Sequence, residues 1–139
     1  MKYVVTGGRG FIGSHFVEEA LNRGDIVIDI DKMNYASHEN LPWDNHPNNS
    51  IKDTDPFIKS NVLGVHNLLE LVRGKPSYAR PLFFHISTDE VYGDKLEGSF
   101  SENDKLTPSN PYSATKAAAE MLVLSYARTY QMDYVITRS

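Results

Sequence analysis

Three glycines, Gly7, Gly10 and Gly13, separate a short apolar run from a segment whose apolar residues recur at helical spacing. Glycine permits a tight turn and lets the backbone approach a ligand closely, and the start of a helix attracts phosphate groups. Asp31 closes the next apolar run, eighteen residues beyond Gly13, near the spacing at which a carboxylate meets an adenosine ribose. The pattern predicts a dinucleotide site that favours NAD over NADP. A plain tight turn and a solvated turn acid are the alternatives.

A tyrosine and a lysine offer a second kind of chemistry. Tyr112 and Lys116 stand four residues apart at the start of an Ala-rich segment with helical spacing, so both side chains share one face. A nearby ammonium group stabilises phenolate and lowers the pKa of a tyrosine from its ordinary ~10. We therefore predict that Tyr112 acts as a base, while an ordinary surface pair is the alternative.

Thr88, Asp89 and Glu90 directly follow a β-rich run. Ligands of parallel α/β sheets bind where the strands end, and two carboxyl groups beside a hydroxyl can supply an acid, a base and a hydrogen-bond donor. The three residues are candidates for catalysis, and a polar turn is the alternative.

The elements that must position these residues follow from periodicity. Strand-like runs alternate with helical patterns, which predicts an α/β fold with a parallel sheet and helices on both faces. No periodicity occurs in residues 32–55, and residues 88–111 form a loop long enough to be functional. The predicted strands are 3–6, 26–30, 82–87 and 134–137. One predicted helix begins after Gly10, and two further helices cover 57–73 and 112–130.

Composition excludes several classes of protein. The 139 residues fit one domain, residues 1–139, and the net charge of −4 argues against a nucleic-acid partner. The chain has no cysteine, its five histidines lack ligand spacing, and no apolar run could cross a bilayer. We expect a cytoplasmic protein with no metal site and no membrane partner.

Five blocks of sequence together are more specific than any single motif: TGGRGFIG, DKMNYAS, PFIKSNVLGVHNLLE, HISTDEVYGD and SNPYSATKAAAE. The chain resembles the extended short-chain dehydrogenase/reductases, and among them the nucleotide-sugar 4,6-dehydratases. The resemblance implies a Rossmann-type sheet, NAD as cofactor and a nucleotide-sugar substrate. By position, it assigns NAD binding to Gly7, Gly10, Phe11, Ile12, Gly13, Asp31, Tyr112 and Lys116.

The same resemblance implies catalytic roles. Tyr112 would deprotonate the sugar 4-hydroxyl, with Lys116 on the nicotinamide ribose and Thr88 on the 4-oxygen. Glu90 would remove the C5 proton, and Asp89 would protonate the departing 6-hydroxyl. Asn61 matches a family asparagine that supports the site from the preceding helix.

The chain departs from the family pattern between Asp31 and Asn61, where about two strands and a helix are missing, and it stops where a C-terminal substrate region is expected. We expect an incomplete sheet. If residues are absent from the sequence, a chain break should fall within 32–50. If the deletion is real, the strand at 82–87 could pair with the strand at 3–6 in the order 2-1-3-4.

Two other functions stay open: an NAD-dependent UDP-sugar 4-epimerase and a catalytically inactive dinucleotide-binding fragment. The resemblance also implies a homodimer through the helices near 57–73 and 112–130. The candidate contacts are Val65, Leu69, Met121 and Leu124, unless these side chains face the sheet instead.

Overall fold

The computed structural model describes residues 1–31 and 53–139, which belong to two compact units. The first unit holds strand β1 (Lys2–Thr6), helix α1 (Phe11–Asn22) and strand β2 (Ile26–Ile30). The two strands pair in parallel, with Lys2 opposite Ile26 and Thr6 opposite Ile30. This is the strand–helix–strand unit that the sequence predicts.

Alternating burial along β1 and β2 shows which face of this strand pair packs on α1. Tyr3 is half-buried and meets the Phe16 ring of α1 edge-on, with 5.3 Å between the ring centroids. Ala20 of α1 is completely buried. Val4 and Ile28, which point to the other face, are exposed. The period of two along the strands therefore separates a packed face from an open one.

The second unit opens with one continuous helical stretch that changes its winding. Helix α2 (Asp55–Phe57) runs into a π-helical segment (Ile58–Leu63), which continues as helix α3 (Gly64–Arg73). The predicted helix at 57–73 is confirmed, but its π-helical part is not visible in the hydrophobic pattern. Short π-helical insertions occur frequently at functional sites, and this one carries Asn61.

Strands β3 (Phe83–Ser87) and β4 (Tyr134–Arg138) pair in parallel, and helix α4 (Pro111–Tyr130) connects them in sequence. Two 3₁₀-helical turns, Ser77–Ala79 and Asp89–Tyr92, precede and follow β3. Helix α4 begins with a capping box, in which Asn110 and Ser113 exchange side-chain and backbone hydrogen bonds, and has proline in its first turn. Both features are strong helix-start signals.

The hydrophobic core of the second unit lies between α3, α4 and one face of β3. Residues 83, 85 and 87 of β3 are buried and residues 84 and 86 are exposed, as period-two alternation requires. The buried core consists of Val65, Leu69, Phe83, Ala119, Val123 and Met132.

The pairing of the described strands bears on the predicted fold and strand order. The α/β fold with parallel strands is confirmed. Among the described strands, β1 pairs with β2 and β3 pairs with β4. The order 2-1-3-4 also needs a pairing between the two units, and that pairing stays a prediction. The predicted break at 32–50 lies outside the described residues. In the described parts of the chain, no helix is long and apolar enough to cross a membrane.

The proposed contacts of a homodimer need correction. Val65 and Leu69 are buried in the core of their own unit, so the prediction that they contact a second copy is wrong. Met121 is exposed and Leu124 is half-buried, and for these two residues the contact stays a prediction.

Candidate active site

The glycine turn of the first unit has the backbone that a dinucleotide site needs. Gly7 adopts φ +70°, a conformation that side-chain-bearing residues rarely take, and its carbonyl accepts a hydrogen bond of 3.0 Å from the Gly10 amide. Gly10 is the N-cap of α1. A Cβ at Gly13 would overlap the Gly7 carbonyl oxygen, so only glycine allows α1 to approach the turn this closely.

Two aspartates of the β2 end hold the glycine turn. The Arg9 amide donates to Asp31 Oδ2 at 2.8 Å, and the Gly8 amide donates to Asp29 Oδ1 at 3.0 Å. Arg9 Nε also contacts Asp29 Oδ2 at 3.2 Å. Sequence reasoning missed Asp29, although its period-two spacing from Asp31 placed both on one face. The structure thus brings the predicted dinucleotide residues of this unit together, and Phe11 and Ile12 form the first turn of α1 beside them.

In the second unit, Thr88 starts the turn that carries the two candidate carboxyl groups. Thr88 is buried and is the N-cap of the Asp89–Tyr92 turn, where its Oγ1 accepts from the Glu90 amide at 3.4 Å. Asp89 is exposed and Glu90 is half-buried. The carboxyl end of β3 therefore presents both carboxyl groups, as the sequence predicts.

Tyr112 lies in the first turn of α4, close to Glu90. Its ring meets the Phe57 ring edge-on at 5.9 Å between centroids. Burial raises the pKa of the Tyr112 phenol, and the negative charge of Glu90 raises it further. The prediction that Lys116 lowers this pKa is wrong for the chain alone, since burial and a like-signed neighbour both disfavour phenolate.

Lys116 lies one helical turn beyond Tyr112. Its ammonium group donates to the Ile86 carbonyl at 2.6 Å. Burial lowers the pKa of Lys116, while the carboxylate of Glu120 acts in the opposite direction. The Tyr112–Lys116 pair thus shares one helix face, as predicted, with the ammonium group anchored on the end of β3.

Asn61 reaches α4 from the π-helical segment. Its Nδ2 donates to Thr115 Oγ1 at 2.9 Å, and the Thr115 hydroxyl donates to the Tyr112 carbonyl at 2.7 Å. Asn61 therefore supports the first turns of α4 rather than touching Tyr112 directly. The resemblance pointed to this residue, whereas composition and periodicity did not.

A buried ion pair lies behind Lys116, and sequence reasoning missed it. Glu120, which is 0% exposed, accepts from the Arg138 guanidinium at 3.1 Å and 2.7 Å. Arg138 Nη1 also donates to the Tyr92 hydroxyl at 2.5 Å. The available signal was the repeat of functional side chains every four residues, 112, 116 and 120, along one face of α4. The pair joins α4, β4 and the turn that carries Asp89 and Glu90.

The second unit therefore combines a tyrosine, a lysine and two carboxyl groups, a set suited to proton transfer. In ranges 1–31 and 53–139, no three His, Asp or Glu side chains group together as a metal site would need.

Comparison with protein families agrees with this geometry. Residues 39–139 match the model of the family described as GDP-mannose 4,6 dehydratase. The chain belongs to this family. Residues 3–46, which include the glycine turn, match the model of the NAD dependent epimerase/dehydratase family.

Two curated proteins are similar to this chain over its whole length. A low-salt glycan biosynthesis protein, Agl12 of Haloferax volcanii, is 38% identical over the whole chain, which covers 56% of the relative. A dTDP-glucose 4,6-dehydratase of Haemophilus influenzae is 33% identical, again over the whole chain and 55% of the relative.

Solved structures confirm the Rossmann-type fold. The dTDP-glucose 4,6-dehydratase DesIV of Streptomyces venezuelae, solved with NAD and TYD bound, is 31% identical with a TM-score of 0.87, over 99% of this chain and 55% of that chain. A UDP-glucose 4-epimerase of Thermus thermophilus in complex with NAD is 29% identical with a TM-score of 0.83, over 99% and 54%.

The chain spans about half the length of the curated relatives it matches. The alignment with the Haloferax protein extends over 176 positions, although this chain has 139 residues. At least 37 aligned positions of the relative therefore face no residue here. This agrees with the expected internal shortening.

Proposed function

We propose that the chain carries the cofactor-binding and catalytic residues of an NAD-dependent nucleotide-sugar 4,6-dehydratase, with dTDP-glucose as its substrate. The observation that carries this proposal is the Asp89–Glu90 pair at the end of β3. Glu90 lies close enough to Tyr112 for its charge to raise the pKa of the phenol. Oxidation at C4 needs one base beside the 4-hydroxyl and a hydride acceptor, whereas elimination of water needs a further acid and base. The relatives named dTDP-glucose 4,6-dehydratase support the substrate.

The residues proposed to bind NAD are the glycine turn and Asp31 in the first unit, and Tyr112 and Lys116 in the second unit. The positive φ of Gly7 and the close approach of Gly13 to the Gly7 carbonyl, which a Cβ would block, fit a backbone turn that cradles a pyrophosphate. Asp31 would accept hydrogen bonds from the adenosine ribose. NAD held by these residues would supply the hydride acceptor for oxidation at C4 and the hydride donor for reduction at C6, so the sugar needs no other oxidant.

In the first half of the reaction, Tyr112 would take the proton of the 4-hydroxyl while Thr88 donates a hydrogen bond to the same oxygen. The ammonium group of Lys116, one helical turn away and hydrogen-bonded to the Ile86 carbonyl, would bind the nicotinamide ribose. Because burial and Glu90 raise the pKa of Tyr112 in the chain alone, the cofactor and substrate must complete the environment that makes it a base.

In the second half, the 4-keto group acidifies the C5 proton, which Glu90 would accept. Asp89 would deliver a proton to the 6-hydroxyl, so the C6–O bond breaks and water leaves. Return of the hydride to C6 and of a proton to C5 completes a 4-keto-6-deoxy sugar. The sugar loses one water and the hydride is returned. The proton that Tyr112 gains equals the one that Asp89 gives, so exchange with solvent restores both residues.

A UDP-sugar 4-epimerase is the second candidate, favoured by the similarity to the epimerase of Thermus thermophilus. An epimerase needs Tyr112 and Lys116 but no acid–base pair for elimination. A catalytically inactive dinucleotide-binding fragment is the third, and the internal shortening favours it.

One product assay separates the three candidates. The purified chain is incubated with dTDP-glucose or UDP-glucose and NAD, and the product is examined by absorbance in alkali and by chromatography. We expect an alkali-absorbing 4-keto sugar from dTDP-glucose, lost in Tyr112→Phe. UDP-galactose would support the epimerase, and no product from either sugar would support the inactive fragment.

Two further properties belong to the proposal. A homodimer would form through α3 and α4, with the exposed Met121 as a contact, and sedimentation at micromolar concentration would show a monomer if this is wrong. A cytoplasmic location follows from a reaction that draws on NAD and nucleotide sugars, both of which are made inside cells.

A further inference from the structure

One side chain links the candidate base to the helix that carries the candidate tyrosine. Asn110 Nδ2 donates to Glu90 Oε2 at 3.0 Å, across twenty residues of sequence. Its Oδ1 accepts from the Ser113 amide at 2.8 Å, and this bond caps α4. The two ends of a single amide therefore engage two different elements.

The orientation of this amide follows from its partners. The backbone N–H of Ser113 can only donate, so it must face the oxygen of Asn110. The nitrogen then faces Glu90, whose carboxylate can only accept when ionised. A flipped amide would lose both hydrogen bonds at once.

We propose that Asn110 is a positioning residue for Glu90, which rests on the proposed role of Glu90 as the base that takes the C5 proton. Asn110 engages Oε2, so Oε1 is left to accept that proton.

The helix cap is a suitable place for this function. Tyr112 stands two residues after Asn110 in the rigid first turn of α4, so one side chain sets the position of Glu90 relative to the phenol. Serine could cap the helix but is too short to reach Glu90. Aspartate could cap it but would turn a carboxylate oxygen towards Glu90. Among good capping residues, asparagine combines the cap with a donor to Glu90.

Two variants separate capping from positioning. Asn110→Ser and Asn110→Asp both retain a side chain that caps well, so we expect each to unfold at nearly the same denaturant concentration as the unmodified chain. Asn110→Ala, which loses both roles, serves as the destabilised reference.

The contact itself can be read without turnover. In ¹H–¹⁵N spectra of the chain, the side-chain amide signals of Asn110 should move when Glu90→Ala removes the acceptor. Glu97→Ala, which removes an exposed acid of the same loop, should leave them in place. Unmoved signals in Glu90→Ala would overturn the proposal.

For catalysis, we expect the Asn110 variants to slow the elimination of water more than the oxidation at C4. During a single turnover with NAD and dTDP-glucose, Asn110→Ser, which adds no charge, should form reduced cofactor at the unmodified rate. Its disappearance, which follows elimination, should slow by roughly tenfold or more, since a positioned base contributes ~10²–10⁴-fold. Asn110→Asp should be slower than Asn110→Ser, because its carboxylate repels that of Glu90.

The outcomes also distinguish this inference from the proposed function. A slowed second step in Glu90→Gln, with unchanged steps in both Asn110 variants, would overturn only the positioning role. An unchanged second step in Glu90→Gln would overturn the assignment of Glu90 as the base, and the positioning role with it. If no variant forms reduced cofactor, the proposed function fails, and the amide spectrum alone decides whether Asn110 holds Glu90.

Discussion

At the scale of single residues, the structure shows a tyrosine that its surroundings keep protonated. Burial and the carboxylate of Glu90 both raise the pKa of Tyr112. The ammonium group of Lys116 is hydrogen-bonded to the Ile86 carbonyl instead. Because the charge of Glu90 opposes the formation of phenolate, a variant without that charge should have a different Tyr112 pKa.

We predict that Glu90→Gln lowers the pKa of the Tyr112 phenol, because it removes the negative charge but leaves the burial. The pKa should stay above the ordinary ~10. The measurement is the ultraviolet absorbance of phenolate during titration, with the titration of Tyr112→Phe subtracted. Glu102→Gln, at an exposed position, is the control, and an equal pKa in Glu90→Gln and the unmodified chain would contradict the prediction.

The choice of cofactor is also a matter of single residues. We predict that NAD binds more tightly than NADP, because a 2′-phosphate would meet the carboxylate of Asp31. Asp31→Asn should narrow or reverse this preference while retaining an oxygen that accepts from the Arg9 amide. Calorimetry with NAD and NADP measures this preference. Asp31→Ala shows the effect of losing both the charge and the hydrogen-bond acceptor. Equal binding of the two cofactors by the unmodified chain would refute the assignment of Asp31.

At the scale of elements, the Glu120–Arg138 pair fastens α4 to β4. Burial alone would raise the pKa of Glu120, but the hydrogen bonds and charge of Arg138 outweigh it, so the pKa is lowered. The carboxylate is charged at neutral pH although its residue is 0% exposed. Such a pair is costly to break, because removing Glu120 would leave the half-buried Arg138 guanidinium without its charged partner.

We predict that Glu120→Gln lowers the free energy of unfolding by about 3 kcal/mol, the cost of leaving Arg138 uncompensated. Combining it with Arg138→Met should restore part of this loss, because no buried charge then remains. Denaturant unfolding of both variants measures the effect. The matched control is the exposed pair of Glu19 and Arg23, where Glu19→Gln should change stability far less.

At the scale of the whole molecule, one buried histidine makes stability depend on pH. Burial lowers the pKa of His85 from 6.5 to about 4, with a smaller effect from Lys116. Between these two values the unfolded chain binds more protons than the folded chain, so stability rises with pH. Its contribution is complete above about 6.5 and is lost as the pH falls towards 4.

We predict that the denaturation midpoint of the chain decreases as the pH falls from 6.5 to about 4, and that His85→Gln flattens this part of the profile. A second decrease belongs to Glu70, whose hydrogen bond with Arg73 holds its pKa at about 2 instead of 4.5. That contribution is lost as the pH falls through this lower window. A profile that is the same in His85→Gln would contradict the role of His85.

The sequence alone determined the elements and the local motifs of this protein. The strands, the helices, the glycine turn and the shared face of Tyr112 and Lys116 depend on neighbours within a few residues, so periodicity and spacing predict them. The 3₁₀-helical turn at Asp89–Tyr92 and the π-helical segment at Ile58–Leu63 were missed. They change the winding of the backbone without changing the hydrophobic pattern.

Only the tertiary structure decided which distant residues meet. The contact of Asn110 with Glu90 spans twenty residues and that of Glu120 with Arg138 spans eighteen. No local pattern encodes such contacts, because they arise when helix α4 packs against β3 and β4. Packing also decided the direction of the Tyr112 pKa shift and the burial of Val65 and Leu69. Desolvation depends on the elements that cover a side chain, and only the folded chain brings those elements together.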